Sequence, residues 1–408
     1  MSAHSKTAAI AITTVHATVA LSLPAAIVFG RSALGVALAL AVIAMAAGAA
    51  AGLRWPLWPR PARMPAALLA VVCVALLPAV TVSLNPAMSA VTLLHIVALV
   101  AGGTLTASLL ARHGDLRASR IFIAGMLAAL LFAVAALYLH PGLVAFRSRG
   151  PAVPSMMLKA SASAIACALP LLIYLGWRLG GRWRVLAALC LPLGVAVMYG
   201  TSSKSSLAGM LAALAVGGLV ALTRRWRPAA AVAVAVVLAG LAAAGLNAVL
   251  KTTPAQTYGG YALFAPPWLV DVHRQTIWQF ALDRFRERPW LGWGVNVINT
   301  VPGAGDNIPE INGEFIPSHP HNWMVETLSE SGVAGFVPVL AVVLGVAAAA
   351  VGAYRRSGEP AWLAWLALWL TYWSAGAFNF SMWNSAWQAS GMVLAALMCS
   401  HLIGRNRV

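Results

Sequence analysis

Apolar runs of about 20 residues recur along the chain and dominate its pattern. They lie at 8–29, 32–53, 64–83, 88–110, 120–139, 155–177, 185–200, 205–222, 229–250, 323–353, 361–379 and 384–403. A run of that length spans a hydrocarbon core about 30 Å thick. Backbone groups there find no water, so helices are the expected spanning form. The runs are rich in Leu and Ala and lack period-two alternation, which argues against a membrane barrel. The pattern predicts an all-α polytopic membrane protein with twelve transmembrane helices. Nine of them fill 1–250, a long loop occupies 251–322, and three more fill 323–408.

Composition agrees. Of 408 residues 61% are hydrophobic and only 9% charged, against about 25% charged in a soluble globule. The formal net charge of +17 taken alone suggests nucleic acid, but its placement points elsewhere. Alternate connections hold Arg54, Arg60 and Arg63; Arg112, Arg117 and Arg120; Arg178, Arg182 and Arg184; Arg224, Arg225 and Arg227; and Arg355 and Arg356. With Lys6, Arg405 and Arg407 they place 17 of the 27 basic residues on one side. The positive-inside rule puts that side, and both termini, in the cytoplasm. Nucleic acid is therefore not an expected partner; membrane lipids are. The first apolar run has no convincing cleavage site after Lys6 and reads as a retained helix. Cys73, Cys167, Cys190 and Cys399 fall inside apolar runs without metal-ligand spacing, and no metal site or cofactor is expected.

The remaining ten basic residues face the other way: Arg31, Arg147, Arg149, Lys159, Lys204, Lys251, Arg274, Arg284, Arg286 and Arg288. Eight of the ten acidic residues, Asp271 to Glu330, join them. Polar chemistry thus concentrates at one face. The loop from about Lys251 to His321 is too long for an idle connection. Within it, a helical stretch from about Leu269 to Glu287 ends at Pro289. At 100° per residue, Ile277, Trp278, Phe280, Ala281 and Phe285 form an apolar face, with Asp283, Gln279, Arg286 and Thr276 opposite. Arg274 and Arg288 fall on the apolar side. They either snorkel to lipid headgroups or enter a pocket where their forked guanidiniums hold phosphate.

Three further places carry candidate chemistry. Lys204, in Thr201-Ser-Ser-Lys-Ser-Ser206, sits at the mouth of the eighth span; a polar hairpin with an ordinary lysine is the plainer account. Arg147 and Arg149, with Lys159, either form a solvated connection or widen a cationic funnel for an anionic substrate. His319 and His321 flank Pro320 where the loop becomes a helix. The positive helix end and nearby arginines disfavour imidazolium, leaving a neutral ring able to accept a proton. Lacking third and fourth ligands, the pair does not read as a zinc site.

The stretch from Ser318 to Gly335, with His321-Asn322 followed by Gly332 and Gly335, resembles the motif of the bacterial O-antigen ligase and polymerase family. Arg286-Glu-Arg-Pro-Trp-Leu-Gly-Trp-Gly294 is also similar to that family; at Lys204 the family usually has arginine. The resemblance implies a class C glycosyltransferase-like fold with a periplasmic site in the bacterial inner membrane. It implies metal-independent, inverting transfer of a polysaccharide from undecaprenyl diphosphate to lipid A-core, or, in a polymerase, to a second lipid-linked repeat unit. It assigns His321 as catalytic base. Arg274, Arg288 and Lys204 would meet the diphosphate, with Asn322, His319 and Arg147 as further substrate contacts. A transporter of a lipid-linked glycan would need charge along a midplane path, and the spans are nearly free of it.

Overall fold

The computed structural model describes residues 3–53, 63–113, 116–148 and 150–405. Arg54, Arg60, Arg149 and Arg407 lie outside the described residues. The protein is an all-α polytopic membrane protein. Its helices are α1 (Ala3–Phe29), α2 (Ser32–Ala50), α3 (Arg63–Thr81), α4 (Pro86–His113), α5 (Arg117–Tyr138), α6 (Pro154–Leu179), α7 (Gly181–Gly200), α8 (Lys204–Leu222), α9 (Pro228–Leu250), α10 (Val272–Glu287), α11 (Trp323–Ser357), α12 (Pro360–Gly376) and α13 (Ser385–Arg405). All but α10 stand where the sequence places a span.

Among the described residues, nine helices are long and apolar enough to cross a membrane. The other three expected spans form helices but are shorter or more polar. The apolar stretch of α3 is Ala66–Thr81, α12 has 17 residues, and α13 carries Gln388, Ser390, Ser400 and His401. Packed helices of this kind need less apolar surface, because protein rather than lipid surrounds them. The main core runs through α1, α2, α5, α6 and α7 into α12 and α13. There α6 buries a nearly continuous run, Ala162–Leu169. By contrast, α9 exposes Val232, Val236, Val237, Leu238, Leu241 and Leu246, an apolar surface suited to lipid and not to water.

Connections predicted to share a face do so. On the first face, Leu84 of the α3–α4 turn donates to the Trp293 carbonyl at 3.1 Å, and Ser89 donates to the Val295 carbonyl at 2.7 Å. Lys204 at the start of α8 reaches the Trp268 carbonyl at 2.8 Å. On the opposite face, Arg355 donates to the Trp226 carbonyl at 2.7 Å, and Ser119 and His401 lie 3.0 Å apart.

The long connection between α9 and α11 is ordered by its own small elements. Two antiparallel pairs, β1 (Thr257–Tyr258) with β2 (Tyr261–Ala262) and β3 (Asn307–Ile308) with β4 (Gly313–Glu314), flank α10. Ile277, Trp278, Phe280 and Ala281 bury against Trp293, Ile298, Val301 and Ile316, so the predicted apolar face of α10 is a core face. One position differs: Thr276 is buried, not on the polar side. Its hydroxyl is satisfied by the Val272 carbonyl at 3.2 Å. Gln275 beside it is fully buried. It accepts from the amides of Phe264 and Ala265 and donates to the carbonyls of Ala265 and Val270, at 2.8–2.9 Å. Loop therefore covers α10 on more than one side, which a helix lying flat on a bilayer would not permit.

Candidate active site

The site rests on a break in α11. Gly332 has φ 60° and ψ −167°, a conformation that interrupts the helix and that residues with a Cβ rarely adopt. A break frees amides and carbonyls that must find partners away from water. The loop segment from Pro289 to Gly294 supplies them. Val333 and Ala334 donate to the carbonyls of Pro289 and Trp290 at 2.9 and 3.2 Å, while Trp293 and Gly294 donate to those of Ser329 and Glu330 at 3.3 and 2.8 Å. A Cβ on Gly332 would strike the Trp290 carbonyl, and one on Gly292 would strike the Glu330 carbonyl. These glycines exist because two backbones cross in contact.

Two acids of the first half of α11, Glu326 and Glu330, are fully buried four residues apart and therefore share a helix face. Glu330 accepts from the backbone amides of Asn296, Val297 and Ile298 at 2.8, 2.9 and 3.0 Å, and from the Trp383 indole. Glu326 accepts from the Ser381 hydroxyl at 2.7 Å and the Met382 amide at 2.6 Å. Glu330 thus holds both the long loop and the α12–α13 turn, and Glu326 holds the same turn. The sequence analysis assigned neither residue a role; two carboxylates within an otherwise apolar helix were the available signal.

At the start of α11, Asn322 accepts from the amides of Met324 and Val325 at 3.0 and 3.3 Å, the ordinary work of an N-cap. Its side-chain oxygen is therefore committed, and only its amide NH2 is left for a substrate. Just before it, His321 has φ 57°, a strained conformation for a non-glycine residue. Trp278 of α10 donates to the Pro320 carbonyl at 2.8 Å and fastens the loop there. His321 Nδ1 lies 3.2 Å from the Asn379 carbonyl oxygen. A carbonyl only accepts, so Nδ1 carries the proton in the neutral ring, and Nε2 holds the free lone pair. The His319 ring lies 4.2 Å from that of His321, centroid to centroid. Its Nδ1 meets Ser318 at 2.9 Å, while its Nε2 is buried without a protein partner.

Both histidines are held neutral. Burial pushes His319 down to about 4, and the charges of His321 and Arg274 act the same way, with the nearby Asn379 carbonyl opposing. Burial also lowers His321, with Arg274, His273 and Lys159 adding to it and the Asn379 carbonyl opposing. Arg274 lies in the first turn of α10, where Asp271 caps the helix. Its guanidinium is partly buried and makes no ion pair or hydrogen bond with a described residue. Asp271 is the anion whose charge acts on it, and among the described residues its forked donors stay open toward a ligand. His273 is anchored to the Glu314 carbonyl at 2.7 Å.

The other predicted site residues each have a partner of their own. Arg288 lies well separated along α10 from Arg274. The two occupy opposite ends of α10, about 20 Å apart along its axis, and Arg288 is exposed with its guanidinium 3.9 Å from the centre of the Trp293 ring. Arg147 donates to the carbonyls of Ile27 and Met157, both at 3.1 Å, joining the end of α1 to α6. Lys204 spends one donor on Trp268 and keeps two. An aromatic cavity of about 160 Å³, lined in part by Trp323, Trp365, Trp369, Trp373, Phe380 and Trp387, lies between the start of α11, α12 and the α12–α13 turn.

Fold and site together define a polytopic membrane protein with a neutral histidine and a partly buried arginine at one rim. A protein-family profile described as O-antigen ligase matches residues 189–340, the segment that carries α10, the loop and the first half of α11. Three proteins whose printed names include the words “Putative polysaccharide ligase” are similar. The Rickettsia conorii protein is 25% identical over 214 residues, covering 51% of this chain and 50% of its own length. Those of Rickettsia felis and Rickettsia prowazekii are 26% and 24% identical, each covering 31% of both chains. The chain spans half or less of the length of these curated relatives. Over residues 189–340, which carry α10, the loop and the first half of α11, the chain is similar to the O-antigen ligase family.

Proposed function

We propose that the protein is a glycosyltransferase that moves a glycan from a polyprenyl diphosphate to an acceptor hydroxyl. The observation that carries this reading is the pairing of a base and a cation: His321 with Nε2 unprotonated, and Arg274 whose guanidinium makes no hydrogen bond or ion pair among the described residues. In the reaction, the acceptor oxygen bonds to the anomeric carbon from the face opposite the diphosphate. The bond from that carbon to the diphosphate oxygen breaks, and its electron pair leaves with the diphosphate. The hydroxyl proton passes to His321 Nε2. Arg274 stabilises the charge that collects on the leaving group, and the two free donors of Lys204 can add to it. The forked guanidinium of Arg274 suits phosphate oxygens.

The donor in this reading is an undecaprenyl-diphosphate-linked O-antigen, its tail lying against the aromatic cavity between the start of α11, α12 and the α12–α13 turn. The acceptor is lipid A-core. The distribution of basic residues supports a site on the periplasmic face of the inner membrane with both termini cytoplasmic. The test is transfer by the purified protein from lipid-linked donor to lipid A-core. Chain extension without any core acceptor would instead identify a polymerase, whose acceptor is a second lipid-linked repeat unit. Transport of the donor with no new glycosidic bond would remove both.

A further inference from the structure

The turn between α12 and α13, residues 377–384, contributes no charged side chain, yet it decides how His321 is presented. Its Asn379 carbonyl is the only hydrogen-bond partner of His321 Nδ1 among the described residues. Two and three residues further on, Ser381 and Met382 are held by the two oxygens of Glu326, at 2.7 and 2.6 Å. Ser381 also accepts from the Trp383 amide at 3.0 Å, tightening the same turn. Glu326 is itself fixed, 1% exposed in the first turn of α11, and its amide donates to the Asn322 carbonyl at 2.9 Å. The carboxylate therefore closes a loop of contacts. It leaves the helix that begins right after His321, crosses to the turn, and returns through a carbonyl to the imidazole.

We infer that Glu326 is a positioning residue for His321. By clamping Ser381 and Met382 it holds the Asn379 carbonyl against Nδ1, and so fixes which ring nitrogen carries the lone pair. The inference rests on the reading of His321 as the base. Without the clamp, the turn relaxes and the imidazole is free to exchange tautomers and rotate. Part of the population then presents N–H where a lone pair is required. Glutamine at this position keeps the volume and accepts from one donor, but turns its own NH2 toward the other. The clamp then loses a contact without leaving a hole.

The effect must pass through His321, which separates positioning from general support of the fold. The charged and titratable groups that face the ring are Arg274 and His273 of α10, Lys159 of α6 and His319, and the substitution touches none of them. In full-length protein with lipid-linked donor and lipid A-core, Glu326→Gln is expected to lower kcat about 10- to 100-fold, with the donor KM within about twofold. Loss of the Asn379 bond removes the contact that favours the protonated ring, so the acid limb of the pH profile should move to lower pH. In a His321→Ala background, Glu326→Gln should have no further effect. Additive losses in the two backgrounds, or a lowered rate with an unmoved acid limb, would overturn the inference while leaving the base in place. Wild-type transfer by His321→Ala would remove the base reading and this inference with it. Ser381→Ala, which removes one contact of the clamp and keeps the carboxylate, carries the same cycle should Glu326→Gln fail to fold.

Discussion

His321 donates its Nδ1 proton to the carbonyl of Asn379, 58 residues later in the chain, across 3.2 Å. One end of this contact begins a helix and the other is a backbone atom in a turn. The lone pair on Nε2 follows from it, and with it a distinct expectation for the single variant. His321→Ala should insert and fold as the parent does, and lose transfer by about 10²- to 10⁴-fold, the usual contribution of a positioned base. Steady-state transfer, measured beside detergent-solubilised yield, checks both halves.

The arginines should separate in kinetics as they do in space. Arg274→Ala should depress kcat/KM for the lipid-linked donor by about 10²-fold or more, as loss of a leaving-group contact does. Arg274→Lys should recover part of it, since charge is kept and the fork is lost. Arg288→Ala should cost less than about tenfold, because that guanidinium stacks on Trp293 at the far end of α10. Equal losses at both positions would require one shared phosphate site.

Acid should weaken the fold through His319. Its pKa is about 4 in the folded protein against an ordinary 6.5. Below pH 6.5 the unfolded chain takes up a proton that the folded ring refuses, so stability falls as pH drops from 6.5 to 4 and then levels. The unfolding midpoint of the parent should fall relative to that of His319→Gln as pH drops from 6.5 to 4, and the difference between them should stay constant above pH 6.5. Other groups that titrate in this range cancel in the comparison.

Gly332→Ala should be among the most damaging single changes in the protein. It places a Cβ against the Trp290 carbonyl at a φ of 60°, and the clash and the backbone strain together are expected to cost about 3 kcal/mol or more. The predicted result is loss of folded protein on size-exclusion chromatography. Gly345→Ala, whose Cβ meets nothing within 4 Å, is the control.

Glu330→Ala strips the partner from three loop amides and an indole at once. Each buried donor left unpaired costs about 1–3 kcal/mol, so the variant should lose the 289–298 segment as a protected unit in hydrogen exchange before the spans open.

The helices were legible because a bilayer demands long apolar runs, and twelve such runs are hard to misread. The apolar face of α10 was legible for the same reason, with Thr276 lost because a buried hydroxyl can bond back to its own helix. His321 stood out as a candidate from its residue type and its place before a helix. Arg147 and Arg288 were not separable from Arg274, since all three are arginines on one side of the membrane. Their difference lies in which carbonyl or ring each one meets. The crossing of Pro289–Gly294 through the break at Gly332 was hidden as well, because it is written in amides and carbonyls, which every residue but proline carries alike.

That crossing also orders events during synthesis. The segment 289–294 leaves the ribosome before α11 exists, and Asn379 follows only after α12. The histidine therefore waits, exposed and unaligned, until the last hairpin enters the bilayer. A nascent product that lacks that hairpin holds the His321 ring without its Asn379 partner.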